Sequence, residues 1–81
     1  MTCILLFNSI HQVMRAEKLL KNRNLKIDLI PVPREISSDC GVAIELPLEI
    51  KEEALHLIGG GGLSNVICYR RIKRGTFERE D

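Results

Sequence analysis

No excess of charge of either sign runs through this sequence. Twelve Lys and Arg stand against eleven Asp and Glu, which leaves +1 at pH 7 over 81 residues. A dedicated nucleic-acid binder shows a strongly basic face, so nucleic acid is not an expected partner. No apolar run approaches the ~20 residues of a membrane-spanning helix, and no membrane span is expected. The apolar run at residues 2–7 is too short for a secretion signal and ends at Asn8-Ser9, so export is not expected either. No Cys-x-x-Cys occurs. The three cysteines, at positions 3, 40 and 68, are odd in number, against the even count of a small disulfide scaffold. With His11 and His56 at no ligand spacing, no metal site is expected. No cofactor motif is present. The glycines at 59–62 follow a helical pattern and precede a strand pattern, the reverse of a phosphate-binding loop, and read as a connector. Free thiols without export make the cytoplasm the expected location.

What is present fits one small domain. The hydrophobic fraction is 44% and the charged fraction 28%, ordinary for a soluble fold. Cys3-Ile4-Leu5-Leu6-Phe7 reads as a strand covered on both faces. Ser9 is placed to cap a helix whose apolar face is Ile10, Val13, Met14, Ala16 and Leu20. Residues 26–33 read as a second strand, and Pro31 and Pro33, lacking amide donors, put it at a sheet edge. Residues 41–46 alternate cleanly as a third strand, which Pro47 ends. A helix follows over residues 48–58, with Ile50, Ala54, Leu57 and Ile58 facing inward and Glu49, Glu52 and Glu53 suiting its N-terminus. Any of the four following glycines can form its left-handed cap. Residues 66–70 read as the last strand. Residues 75–81 are expected to fray as a charged tail, which leaves residues 1–74 as the domain.

The order βαββαβ predicts an α+β, ferredoxin-like fold: a four-stranded antiparallel sheet with two helices on one face. The other face would be open and partly apolar, fit for a partner or for a second copy of the chain as a homodimer. Strands one and four are then neighbours, which brings Cys3 near Cys68. Both read first as small buried hydrophobes, with a resolving role toward Cys40 as the weaker alternative. In Tyr69-Arg70-Arg71-Ile72-Lys73-Arg74, strand alternation splits Arg70 from Arg71 across the sheet, so the basic run reads as a solvated strand end.

Cys40 is the chemically pointed residue. It ends a polar loop, Pro33-Arg34-Glu35-Ile36-Ser37-Ser38-Asp39-Cys40-Gly41, between two strands. Structural free cysteines are mostly buried among apolar neighbours, whereas loops at strand ends present reactive groups. A reachable thiolate is a nucleophile. Ser37, Ser38 and Asp39 can form a turn that offers amides to the sulfur. Arg34 is the nearest cation in sequence for its anion, while the Asp39 carboxylate would raise the thiol pKa unless it faces away to cap the turn. Gly41 allows tight backbone beside the sulfur, or simply enters the strand. Ser9, at a helix N-terminus, can bind an anion or merely cap the helix. From the residues alone, Cys40 is either a functional thiol or a partly exposed thiol with no task.

The loop Pro33-Arg34 with Ser37-Ser38-Asp39-Cys40-Gly41, together with Phe7-Asn8-Ser9-Ile10-His11-Gln12 near the start, resembles a family of small bacterial domains described as selenium/sulfur carrier-like proteins. The resemblance covers roughly residues 2–70, and similar domains occur alone or fused behind a sulfur-relay domain. It implies a carrier that holds sulfur or selenium on Cys40 as a persulfide or selenosulfide. It would pass that atom from a donor protein, such as a cysteine desulfurase, to an acceptor, as a carrier more than as a stand-alone enzyme. The alternative is a non-catalytic ferredoxin-like module that binds a small ligand or a protein through the open sheet face, with Cys40 incidental.

Overall fold

The computed structural model describes residues 1–36, 41–63 and 65–80. Its elements run β1 (Thr2–Leu6), α1 (Ile10–Lys21), β2 (Asp28–Pro31), β3 (Val42–Pro47), a single 3-10 turn (Leu48–Ile50), α2 (Lys51–Gly60), β4 (Ile67–Lys73) and β5 (Thr76–Glu80). They form an α+β fold with one sheet of order β2-β3-β1-β4-β5, in which every neighbouring pair is antiparallel. The βαββαβ order expected from sequence is present, but the sheet has five strands and not four.

The fifth strand is the main correction. The segment expected to fray pairs instead with β4, Cys68 opposite Glu80 and Arg70 opposite Glu78. Charge count misled here, because the charges are paired: Arg70 Nη2 contacts Glu78 Oε1 at 3.0 Å and Lys51 Nζ contacts Glu80 Oε1 at 3.1 Å. The turn that returns the chain is Arg74-Gly75, with Gly75 at φ +79, the positive φ that a two-residue hairpin needs and that glycine supplies without strain. Thr76 and Phe77 then begin the strand, both residue types that favour strands.

Each helix is delimited by its own side chains. The Ser9 side chain accepts from the Gln12 amide at 3.3 Å and Gln12 Oε1 accepts from the Asn8 amide at 3.3 Å, a near-reciprocal cap of the box type. α1 ends in a Schellman motif: Leu25 N donates to Leu20 O, Asn24 N donates to Lys21 O, and Asn24 takes φ +61. α2 ends the same way. Leu63 N donates to Ile58 O, Gly62 N donates to Gly59 O, and Gly62 takes φ +84. Of the four glycines expected to cap α2, Gly62 does so, while Gly59 and Gly60 continue the helix.

The core lies between the helices and one face of the sheet. It joins Cys3 and Leu5 of β1, Ile44 and Leu46 of β3 and Cys68 of β4 to Val13, Ala16 and Leu20 of α1 and Ala54 and Ile58 of α2. Ile10 and Met14, expected on the buried face of α1, are instead 51% and 60% exposed. At about 100° per residue, Met14 sits roughly 130° around the helix from the centre of the Val13-Ala16-Leu20 stripe. β2 is shorter than expected but lies at the edge, where its prolines allow it to be.

The second sheet face is less open than expected. Alternation puts Ile4 and Ala43 there, and both are fully buried although neither belongs to the helix-side core. Ile4 is flanked by its cross-strand partners Glu45 and Tyr69. Thr2 Oγ1 donates to Glu45 Oε2 at 2.7 Å, Arg71 Nε stands 3.1 Å from the same oxygen, and the Arg71 guanidinium lies 5.2 Å from the Phe77 ring centroid. The β2–β3 connection leaves the sheet at the Leu6 end of β1 and the β4–β5 turn lies beyond its Thr2 end. Yet the Glu35 carboxylate reaches the Gly75 turn, where an added Cβ would sit 3.9 Å from Glu35 Oε2. With the helices on one face, these two connections meet over the other.

Candidate functional site

Four of the residues singled out in sequence, Ser37, Ser38, Asp39 and Cys40, lie outside the described residues. Their frame is described. The chain leaves β2 at Pro31, and Val32 N donates to Gly41 O at 3.1 Å, which closes the base of the 32–41 connection as an extension of the β2–β3 pairing. A tight turn follows at once, with Ile36 N donating to Pro33 O at 3.0 Å. Arg34 and Glu35 are exposed on that turn. Arg34 makes no hydrogen bond or ion pair with any described residue. Gly41 is exposed, and an added Cβ would meet only Val32 Cγ2, at 3.6 Å. Its φ lies outside the left-handed region. Gly41 therefore acts as a residue entering β3, and no special backbone geometry is required of it.

Ser9 is occupied in capping α1, which favours the capping reading over an anion site. The sheet register does bring the Phe7-Asn8-Ser9 junction and the Gly41 end of the long connection to the same edge of the fold, since β1 ends where β3 begins. Arg34 and Gly41 are thus held on one connection, and Ser9 lies at the same end of the sheet.

The remaining thiols are placed as expected. Cys3 is fully buried, Cys68 is 5% exposed, and both are free. Cys3 pairs across the sheet with Arg70 and Leu5 with Cys68, so the two cysteines are diagonal neighbours on the helix-side face. As the proton holder toward Cys68, the Cys3 thiol is pushed up, and burial adds to the rise. As the acceptor from Cys3, Cys68 is pulled down, against the opposing effect of burial, and the Lys51 ammonium lowers it further.

Sequence reading missed Lys51 and Glu80 in this arrangement. Lys51 opens α2, and Glu80 is the cross-strand partner of Cys68 at the end of β5. Their ion pair, with side chains 21% and 26% exposed, stands beside the two thiols. The hydrogen bond to Glu80 holds the Lys51 ammonium above its ordinary pKa, outweighing the desolvation that would lower it. Glu80 was hidden by being counted as tail. The signal that could have found it is the turn pair Arg74-Gly75 between two strand-like runs. Arg70 and Arg71 separate as alternation requires, Arg70 to Glu78 and Arg71 to Glu45. No group of three or more His, Cys, Asp or Glu arranged for a metal ion occurs among the described residues. No helix among them is long and apolar enough to cross a membrane.

The model of the family described as "Putative Se/S carrier protein-like" matches residues 2–70. No curated protein and no solved structure matches the chain.

Proposed function

This chain belongs to the Se/S carrier protein-like family, and from that premise we propose that it carries sulfur or selenium on Cys40 and relays it between partner proteins. The observation that carries the reading is the span of the family match, residues 2–70, which includes the whole Cys40 connection. Burial supports it by elimination. A thiol that hands an atom from one protein to another must be reachable by a macromolecule, and Cys3 and Cys68 are buried in the sheet. Of the three cysteines, Cys40 is the one assigned the carrying role.

The transfer is a thiol exchange. The Cys40 thiolate attacks the outer sulfur of a donor persulfide, the donor S–S bond breaks, and the donor sulfur leaves as a thiolate. Cys40 then holds the persulfide, and the reverse attack by an acceptor nucleophile releases it. Arg34 stabilises the persulfide anion, with the Ser37-Ser38-Asp39 segment supplying hydrogen bonds. The donor is a protein of the cysteine desulfurase kind, the setting is the cytoplasm, and a homodimer is part of the reading. The fold is taken as ferredoxin-like with an added edge strand.

The test is direct. Incubation with a cysteine desulfurase and cysteine should add one sulfur mass at Cys40, and Cys40→Ser should abolish it. Arg34→Ala should weaken uptake by about 1–2 kcal/mol, toward the low end for a hydrogen bond to a charged group. Uptake that persists in Cys40→Ser, or no transferable sulfur or selenium with any persulfide or selenide donor, would refute the assignment.

A further inference from the structure

We propose that Cys3 and Cys68 form a second thiol site, a two-electron dithiol couple that a small hydroperoxide converts to an intramolecular disulfide. The inference rests on the sheet and holds whether or not Cys40 carries sulfur. Two features carry it. The first is register: Cys3 on β1 and Cys68 on β4 share the helix-side face as diagonal neighbours with their side chains in contact. The second is the surroundings. Glu80 is the cross-strand partner of Cys68, and its ion pair with Lys51 is partly exposed, so one ion pair separates Cys68 from water.

The two cysteines are unequal in the way an attacking and a resolving thiol are unequal. Glu80 is the cross-strand partner of Cys68 and holds Lys51 there, so the attacking role goes to Cys68 and the resolving role to Cys3. The Cys68 thiolate attacks the outer oxygen of the hydroperoxide, the O–O bond breaks, and the alkoxide leaves and takes a proton to become an alcohol. The Cys68 sulfenic acid is then attacked by Cys3, which gives up its proton. The S–O bond breaks, water leaves, and the S–S bond forms. Two thiols and one hydroperoxide thus yield one disulfide, one alcohol and one water. With hydrogen peroxide, the alcohol is a second water. An ordinary thiol reductant returns the couple to the dithiol: its thiolate attacks one sulfur, the S–S bond breaks, and the other sulfur leaves as a thiolate.

The experiment uses the full chain with Cys40→Ser, which leaves Cys3 and Cys68 as the only thiols. Native protein is treated with hydrogen peroxide, quenched, alkylated in denaturant and digested. The expected product is a monomer lighter by two hydrogens that yields a linked peptide joining Cys3 to Cys68 and reverts with dithiothreitol. Glu80→Gln removes the carboxylate beside the thiols and frees Lys51, so oxidation should be several-fold faster. If native protein keeps both thiols while the same protein oxidises in urea, the proposal is overturned. Over-oxidation of single cysteines without the linked peptide overturns it as well. A Glu80→Gln rate that is unchanged or slower removes the ion pair from the site.

Discussion

Replacing Gly75 with alanine should expose Cys68 to reagent while leaving Cys3 protected. Gly75 sits in the turn that makes β5, at φ +79. A Cβ there would meet nothing closer than Glu35 Oε2 at 3.9 Å, an ordinary contact, so the substitution is not a steric clash. Its cost is the backbone's alone, roughly 1–2 kcal/mol for an L-residue held in the left-handed region. That cost is local to the hairpin. β5 pairs only with β4, whereas β1, which carries Cys3, is held on both sides by β3 and β4. Opening of the hairpin therefore uncovers Cys68 and its ion pair before it uncovers Cys3. A destabilisation of 1–2 kcal/mol raises the open population by about 5- to 30-fold. Alkylation of Cys68 in native protein should quicken by that factor, if opening and closing are fast relative to labelling. Site-resolved mass spectrometry over a time course reads Cys3, Cys40 and Cys68 separately. Equal acceleration at Cys3 and Cys68 would mean that β5 does not open as its own unit, and an unchanged Cys68 rate would mean that the edge strand does not protect it. Either result refutes the reasoning.

Three further outcomes follow from the same structure. Leu20→Ala should cost about 2–5 kcal/mol, because Leu20 is fully buried in the core, whereas Met14→Ala should fall within about 0.5 kcal/mol despite the same helix and a similar side chain; denaturant melts of the two variants decide it. Glu45→Ala should lose about 1–2 kcal/mol through the Thr2 hydrogen bond and the Arg71 contact, lowering the melting temperature by about 4–8 °C per kcal/mol. Lys51 has a folded pKa above its ordinary 10.5, so its stabilising contribution is complete below that value and is lost as pH rises through the raised folded pKa; alkaline melts should show a limb that Lys51→Met flattens.

Much of the fold was legible because its signals are local. Ser9 before an apolar helical face, the Pro31 edge and the clean alternation of residues 41–46 each fix a boundary by chemistry within one turn or one strand. β5 was not legible from composition, because Glu78 and Glu80 look like solvated tail until their partners are known. Those partners, Arg70 on β4 and Lys51 on α2, lie 8 and 29 residues away in sequence. Charge pairing over such separations carries no periodicity. Of the candidate site, the burial of Cys3 and Cys68 followed from their apolar strand neighbours. That they touch, and that Lys51 stands beside them, depends on register, which a one-residue slip would have reversed.

The sheet face away from the helices bears on what could dock there. A fully apolar face would favour a second copy through burial alone. Here Ile4 and Ala43 already have no exposed surface, so they have none left to bury against a partner. The groups toward the β1 N-terminal end are polar: Glu45 tied to Thr2 and Arg71, and Arg71 in turn over Phe77. A partner that settles on this face must match a fixed carboxylate–guanidinium pair and must also accommodate the connection that carries Glu35 to Gly75. Glu35 belongs to the same connection in sequence as Cys40, so we expect docking there to bear on access to Cys40. A homodimer built on this face should therefore change the alkylation rate of Cys40 with protein concentration. A rate independent of concentration across the dimerisation range measured by sedimentation would separate the dimer surface from the connection that holds Cys40.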